Sequence, residues 1–308
     1  MMEKSERMIL EKLGIVVLNY NNFEVTIECL EYILKQSVKV PIVIVDNGSS
    51  NNSAQILSKQ FMNSSNVYIV QSKVNVGFSR GNNIGIKFLR DKNCVNILVL
   101  NSDVFLKDSN YISSLSKYTL PSDVAVVGTA ILDKKGMNQN PTSGNTRTLH
   151  LYLLLLNLWR LKLGLSSFGI FSKMKEKIYN SSKPNNEQKN SKFSTQILDN
   201  SHYLHGSSFI LTEEFFKNFE GLYNRTFLYF EEPILHIGIK KAGLKMFYIS
   251  ELSVLHLEDQ SSKTTFQQHS KKWINYSIHG VKELIYVKII PLNLLKSFMR
   301  VEKNEPIN

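Results

Sequence analysis

The sequence predicts an α/β protein built on a mostly parallel sheet with helices on both faces, followed by a helical appendage at the C-terminus. Three observations predict it. Short runs rich in Val and Ile recur through the first 130 residues, separated by segments with helical apolar spacing. The runs are apolar throughout rather than alternating, as strands covered on both faces are. They also end on polar residues, Asn19, Asp46 and Asn101 to Asp103. Ligands of such sheets bind beyond the carboxyl ends of the strands.

The elements follow in order. "GIVVLN" (14 to 19) reads as a strand, and Phe23 to Lys35 as a helix. "PIVIVD" (41 to 46) is the next strand, and "NGSSNNS" is a turn able to cap a helix from Ala54. "NVYIV" (66 to 70) is the third strand, followed by a polar loop and a helix to about Arg90. A strand at 95 to 100 precedes "NSD", and "VAVVGT" (124 to 129) closes this half. After Pro141 the character changes: "LHLYLLLLNLWRLKLGL" (149 to 165) is apolar yet carries Arg160 and Lys162. Residues 180 to 196 are polar and read as a mobile loop. Strand and helix resume over 205 to 219, then come "FLYFEEPILHIGIKKAG", "KMFYIS" and "SVLHLEDQSS". The tail sets Ile274, Ile278, Val281, Ile285 and Ile289 at helical spacing before Pro291.

Composition bounds the function. With 308 residues and 43% hydrophobic content the chain can bury a sizeable core. A net charge of +11 and a pI near 9.4 favour polyanionic partners. Two cysteines, Cys29 and Cys94, do not amount to a disulfide framework and suit a reducing compartment. The N-terminus lacks a secretory signal pattern, and no run approaches the roughly 20 apolar residues that span a bilayer. A cytoplasmic protein is expected. No nucleic-acid-binding motif or stacking strip is present, so nucleic acid is not an expected partner.

Several residues suit chemistry. Asp46 in "DNGSS" is either a turn former or a carboxylate that grips a nucleobase and ribose. In "NVGFSRGNNIGI" (75 to 86) Gly77, Gly81 and Gly85 recur every four residues, which is not the dinucleotide fingerprint. They permit close packing, while amides at the helix start favour a diphosphate. Asp103 is a hard oxygen ligand for Mg²⁺ or Mn²⁺, or else a turn residue; neutral Asn101 beside it adds no charge. His256 is its candidate partner. Glu231 and Glu232 before Pro233 open a helix for capping reasons, or supply a general base.

Seven pieces in this order, "VVLNYNN", "VDNGSS", "NVGFSRGNN", "LNSDV", "HGSSFIL", "FLYFEE" and "VLHLEDQSS", resemble the family 2 glycosyltransferases. The likeness is strongest to the rhamnosyltransferase-like branch that builds bacterial capsule and O-antigen polysaccharides, and it spans about residues 14 to 262. The resemblance implies a GT-A, Rossmann-like fold and an inverting hexosyltransferase that uses a nucleotide-sugar donor (dTDP- or UDP-linked) and a divalent metal. It implies that Asn19, Tyr20, Asp46 and Asn47 surround base and ribose, that Asn75, Gly77, Gly81 and Asn83 line the donor pocket, and that Asn101 and Ser102 lie beside it. It further implies Asp103 and His256 as metal ligands and Glu232, with Glu231 as its partner, as catalytic base. One departure stands out: Ile234 occupies the place of a further Asp.

The implied organisation is a catalytic domain over 1 to 262 and an amphipathic extension over 263 to 308. Within the domain lie a nucleotide half (about 14 to 130), an insertion (about 149 to 198) and an acceptor half (about 200 to 262). Residues 149 to 165 and 273 to 290 combine apolar faces with Lys and Arg, as interfacial helices do. Contact with the inner face of the cell membrane, and so a lipid-linked acceptor, competes with packing on the domain or on a second copy in a homodimer. Two other functions fit the same sequence: a nucleotidyltransferase, and a non-catalytic membrane adaptor.

Overall fold

The computed structural model describes residues 7–144, 147–165, 193–257 and 271–301. In chain order its strands are β1 (Arg7–Met8), β2 (Leu13–Asn19), β3 (Ile42–Asp46), β4 (Val67–Gln71), β5 (Asn96–Asn101), β6 (Val104–Phe105), β7 (Thr119–Leu120), β8 (Val124–Leu132), β9 (Thr142–Ser143), β10 (Gln196–Ile197), β11 (His202–Tyr203), β12 (Ser208–Leu211) and β13 (Lys245–His256). The helices are α1 (Phe23–Leu34), α2 (Ser53–Gln60), α3 (Phe78–Asp91), α4 (Tyr111–Ser114), α5 (Thr148–Lys162), α6 (Glu213–Asn218), α7 (Glu231–Lys241), α8 (Lys271–Ile289) and α9 (Leu292–Phe298).

The main sheet runs β10-β13-β8-β12-β5-β2-β3-β4, with β6 paired to β13. Strands β2, β3, β4 and β5 are mutually parallel, and β13 is parallel to β8. All five residues of β3 are buried, which accounts for its unbroken apolar run. Helices cover both faces. Along β2, Ile15 and Val17 join the core that receives α1, and Val16 joins the core shared with α3, α5, α7 and α8. The mixed α/β architecture is the predicted one.

Two features go beyond the sequence reading, and a third decides between its alternatives. First, the "VAVVGT" strand, β8, is not the sheet neighbour of β5. β12 lies between β5 and β8, antiparallel to both. A four-residue apolar run carries no sign of its direction. Second, "KMFYIS" and "SVLHL" form one strand, β13, with a register shift between Ile249 and Ser253. Third, for residues 273 to 290 the sequence left membrane contact and packing on the domain open, and here the face packs: Ile274, Ile278 and Val281 are buried, and only Ile289 of the predicted stripe stands exposed, at 74%. That face packs against the helices α5 and α7. The stripe of α5 behaves differently. Leu151 and Leu158 are buried, whereas Leu149, Leu156 and Leu163 are 72%, 57% and 64% exposed.

Cys29 and Cys94 are free and buried. Among the described residues no helix is long and apolar enough to cross a membrane. Most of the polar stretch 180 to 196, and Glu258 to Ser262 of "VLHLEDQSS", lie outside the described residues.

Candidate active site

The carboxyl ends of β2 and β3 supply the first wall. Asn19 is fully buried; its Oδ1 accepts the Thr26 hydroxyl at 2.8 Å and its Nδ2 donates to Ser49 Oγ at 3.3 Å. Tyr20, the next residue, is half-buried. Asp46 Oδ1 accepts the Ser49 N–H at 2.9 Å, while Oδ2 is buried with no hydrogen-bond partner. Burial raises the Asp46 carboxyl above its usual range, opposed by the bonds from Ser49.

Asn47 anchors the loop that follows β4. Its Oδ1 accepts the Val76 N–H at 3.0 Å, and its Nδ2 donates to Asn75 Oδ1 and to the Gly77 carbonyl, both at 3.1 Å. Asn75 Oδ1 also accepts the Gly77 N–H at 2.9 Å. Gly77 has φ +90, and a Cβ there would lie 2.3 Å from the Phe227 carbonyl oxygen, so only glycine fits. Phe78 N–H donates to that same oxygen at 2.8 Å, tying the start of α3 to the acceptor half. Gly81 packs on Leu18. Asn83 grips the peptide of Leu222 from both sides, its Nδ2 donating to the carbonyl at 2.9 Å and its Oδ1 accepting the N–H at 2.7 Å. Thus the side-chain amides of Asn19, Asn47, Asn75 and Asn83 bind the chain itself.

Asn101 ends β5 half-buried, its N–H donating to the Ser207 carbonyl at 2.9 Å. Ser102 and Asp103 are buried in the turn before β6. Pairing of β6 with β13 sets His256 opposite Val104, and the Leu257 N–H donates to the Asp103 carbonyl at 3.0 Å. This brings Asp103 Oδ1 to 3.6 Å from His256 Nε2. The imidazole donates from Nδ1 to Gln139 Oε1 at 2.9 Å, so in the neutral ring Nε2 presents a lone pair. Asp103 Oδ1 is itself buried with no hydrogen-bond partner. Two buried acceptors facing each other fit a cation between them. Among the described residues no set of three or more His, Cys, Asp or Glu side chains converges on one point. A cation here would take two protein ligands and draw the rest from phosphate or water.

The acidic pair opens α7 directly after two residues in the left-handed region, Tyr229 (φ 76) and Phe230 (φ 70). Glu232 Oε1 accepts the Gly206 N–H at 3.3 Å and lines a small cleft with Ser79, Leu204, Gly206, Tyr223 and Glu231. Glu231 Oε1 is buried without a partner. Burial first, and the charge of Glu232 second, push the Glu231 carboxyl up to about 8. Burial and the Glu232 charge likewise push Tyr203 to about 12.

One residue joins the two centres and was not among the predicted site residues. His205 stacks edge-on to His256 with ring centroids 5.6 Å apart, and its Nδ1 contacts Ser207 Oγ at 2.9 Å. The next residue, Gly206, holds Glu232, and Ser207 holds Asn101. The His-Gly pair in "HGSS" was the signal available in the sequence, but nothing in the spacing tells which neighbours it meets.

One family is identified by comparison of the sequence with protein families. The model for "Glycosyl transferase family 2" matches residues 14–209. Over 118 residues the chain is 30% identical to glycosyltransferase GlyG of Streptococcus pneumoniae serotype 4, an alignment spanning 38% of each protein. Over 276 residues it is 25% identical to the low-salt glycan biosynthesis hexosyltransferase Agl10 of Haloferax volcanii, covering 89% of this chain and 76% of the relative. Similar solved structures include TarS of S. aureus, with TM-score 0.48 and 12% identity over 80% of this chain and 36% of that one. Another is the mannosyltransferase PcManGT of Pyrobaculum calidifontis in complex with GDP-Man and Mn²⁺, with TM-score 0.49 and 10% identity over 90% of this chain and 72% of that one.

Proposed function

The chain belongs to glycosyl transferase family 2, and from that premise we propose that it moves a hexose, rhamnose in the first instance, from a dTDP- or UDP-linked donor to a saccharide acceptor with inversion. The observation that carries the proposal is the run His205 to Ser207, which links the Asp103–His256 pair to Glu232 through adjacent residues. Leaving-group and acceptor chemistry must lie this close in a single displacement.

In this reading Asp46 Oδ2, which has no partner within the chain, accepts a hydroxyl of the donor ribose. Asp103 and His256 would hold Mg²⁺ or Mn²⁺, which when bound neutralises the departing diphosphate. Glu231, held protonated by burial, leaves Glu232 as the charged member of the pair. Glu232 then takes the proton of the acceptor hydroxyl as that oxygen attacks the anomeric carbon opposite the nucleotide. No covalent intermediate is required.

A lipid-linked acceptor in cell-surface polysaccharide synthesis, handled at the cytoplasmic face of the membrane, is supported by α5. Leu149, Tyr152, Leu156, Trp159 and Leu163 form an exposed stripe at helical spacing. Lys162 and Lys282 sit 5.0 and 5.3 Å from the Trp159 ring. No carboxylate occurs between Asp133 and Glu176. Such a face suits an anionic headgroup layer.

The experiment is a screen of UDP- and dTDP-sugars with lipid-linked acceptors, scored by released nucleotide with Mn²⁺ or Mg²⁺. Release of nucleoside diphosphate with a lengthened acceptor is expected. Pyrophosphate release would indicate nucleotidyl transfer, and turnover unaffected by Glu232→Gln would remove the assigned base.

A further inference from the structure

We propose that helix α8, through Gly280, is a positioning element of the acidic pair, holding the left-handed turn at Tyr229 and Phe230 that launches Glu231 and Glu232. The inference rests on the reading of Glu232 as the base, and it concerns a segment outside the residues matched by the family model.

Two consecutive bulky residues with φ of 76 and 70 are costly, because their Cβ atoms crowd the backbone. Such a conformation persists only where surrounding structure imposes it. The imposing element is one face of α8. Glu283 accepts the Tyr223 hydroxyl at 2.5 Å and pairs with Arg225 at 3.1 Å. His279 Nε2 donates to the Arg225 carbonyl at 2.8 Å. Tyr276 stacks on Phe227 with centroids 4.6 Å apart and planes 14° from parallel. Trp273 meets Tyr229 edge-on at 6.3 Å. Positions 273, 276, 280 and 283 share one face of a helix, and together they grip the chain from Tyr223 to Phe230.

Gly280 stands at the centre of that face. A Cβ there would lie 2.6 Å from Phe230 Cδ2 and 2.9 Å from the Tyr229 carbonyl oxygen. The ring could swing away, but the carbonyl belongs to the turn itself. Glycine is a poor choice inside a 19-residue helix, so its presence reflects the space that the turn needs. Displacing the turn would carry Glu231 and Glu232 with it, opening Glu231 to water and moving Glu232 from Gly206.

The test is Gly280→Ala in the full chain, assayed with the nucleotide sugar that the donor screen identifies. Expected are a kcat at least tenfold lower, a donor KM within twofold of wild type, and a Tm no lower than wild type. The limb of the kcat–pH profile should move to lower pH as Glu231 loses its burial, and Gly280→Ala/Phe230→Gly, which frees the turn, should regain activity. An unchanged kcat and pH profile would overturn the proposal. So would a loss of kcat accompanied by a matching loss of Tm and of Mn²⁺-dependent UDP binding. Glu232→Gln, run alongside, separates the two claims: if that variant turns over normally, the assignment of the base fails whatever Gly280→Ala does.

Discussion

Asp103 Oδ1 and His256 Nε2 face each other across 3.6 Å, near enough to share a ligand and too far for a hydrogen bond between them. Asp103 stands in the turn between β5 and β6 and His256 is the last residue of β13; the two are 153 residues apart in sequence and are brought together by the β6–β13 ladder. Two buried acceptors this close repel each other, and a cation bound between them would relieve that repulsion.

Replacing Asp103 with Asn should therefore separate stability from function. The amide can donate to His256 Nε2 and removes a buried unpaired carboxylate oxygen, so the metal-free protein should melt no lower than wild type. Transfer should fall by at least 100-fold, as expected when transition-state charge loses its counter-ion. Thermal scans with UDP, with and without Mn²⁺, decide it: retention of Mn²⁺-dependent protection in the variant would rule Asp103 out as a ligand.

Glu231 makes stability fall as pH rises. Its carboxyl titrates at about 8 when folded against an ordinary value of 4.5, so between these values the native state binds more protons than the unfolded chain. Stability must then decline with pH across that window, most of it gone above about 8. Glu231→Gln should remove this decline, leaving Tm close to wild type at pH 4.5 and higher at pH 9. Parallel melting curves for the two proteins from pH 5 to 9 would sink the assignment.

Asn83 should behave as a structural clamp rather than a donor contact. It is 4% exposed and both polar ends of its amide hold Leu222. Asn83→Ala leaves that buried peptide without either partner, a loss of about 2–4 kcal/mol. Urea unfolding should show a lower midpoint with the same slope. Wild-type stability with weakened UDP binding would return Asn83 to the donor pocket.

The exposed stripe of α5 should govern membrane binding without contributing to the fold. Changing Leu149, Leu156 and Leu163 together to Ser should alter stability by less than about 1 kcal/mol, since all three are more than half exposed. Co-sedimentation with vesicles containing anionic lipid should drop at least tenfold, and with neutral vesicles should be weak for both proteins. If the triple variant still sediments but changes from dimer to monomer in ultracentrifugation, the stripe serves a second copy instead.

Much of this architecture was legible because buried strands announce themselves. The β2, β3 and β5 runs are continuous, apolar and bounded by polar residues, and their observed limits differ from the sequence reading by a residue or so. What an amphipathic helix packs against was not legible. Ile274, Ile278 and Val281 would read the same on a bilayer or against other helices, and only the tertiary fold, which sets α5 and α7 beside them, decides. The roles of the asparagines were hidden for a related reason. An amide at a strand end serves backbone or ligand equally well, and the choice for Asn47 and Asn83 depends on residues 28 and 139 positions away. The turn at Tyr229 and Phe230 could not have been read, since nothing local favours positive φ in two aromatic residues.

The placement of β12 sets the order in which this sheet can be finished. β5 and β8 emerge from the ribosome with their facing edges bare, and the strand that fills the gap begins only at Ser208, some 75 residues after β8 ends at Leu132. Until it arrives, two long apolar edges are open to pairing with other chains. A chain cut short of Ser208 keeps every parallel strand of the nucleotide half yet exposes its most adhesive seam. Solubility thus becomes a property of the second half of the gene product, and shortened versions of this protein invite aggregation even where their own residues are well formed.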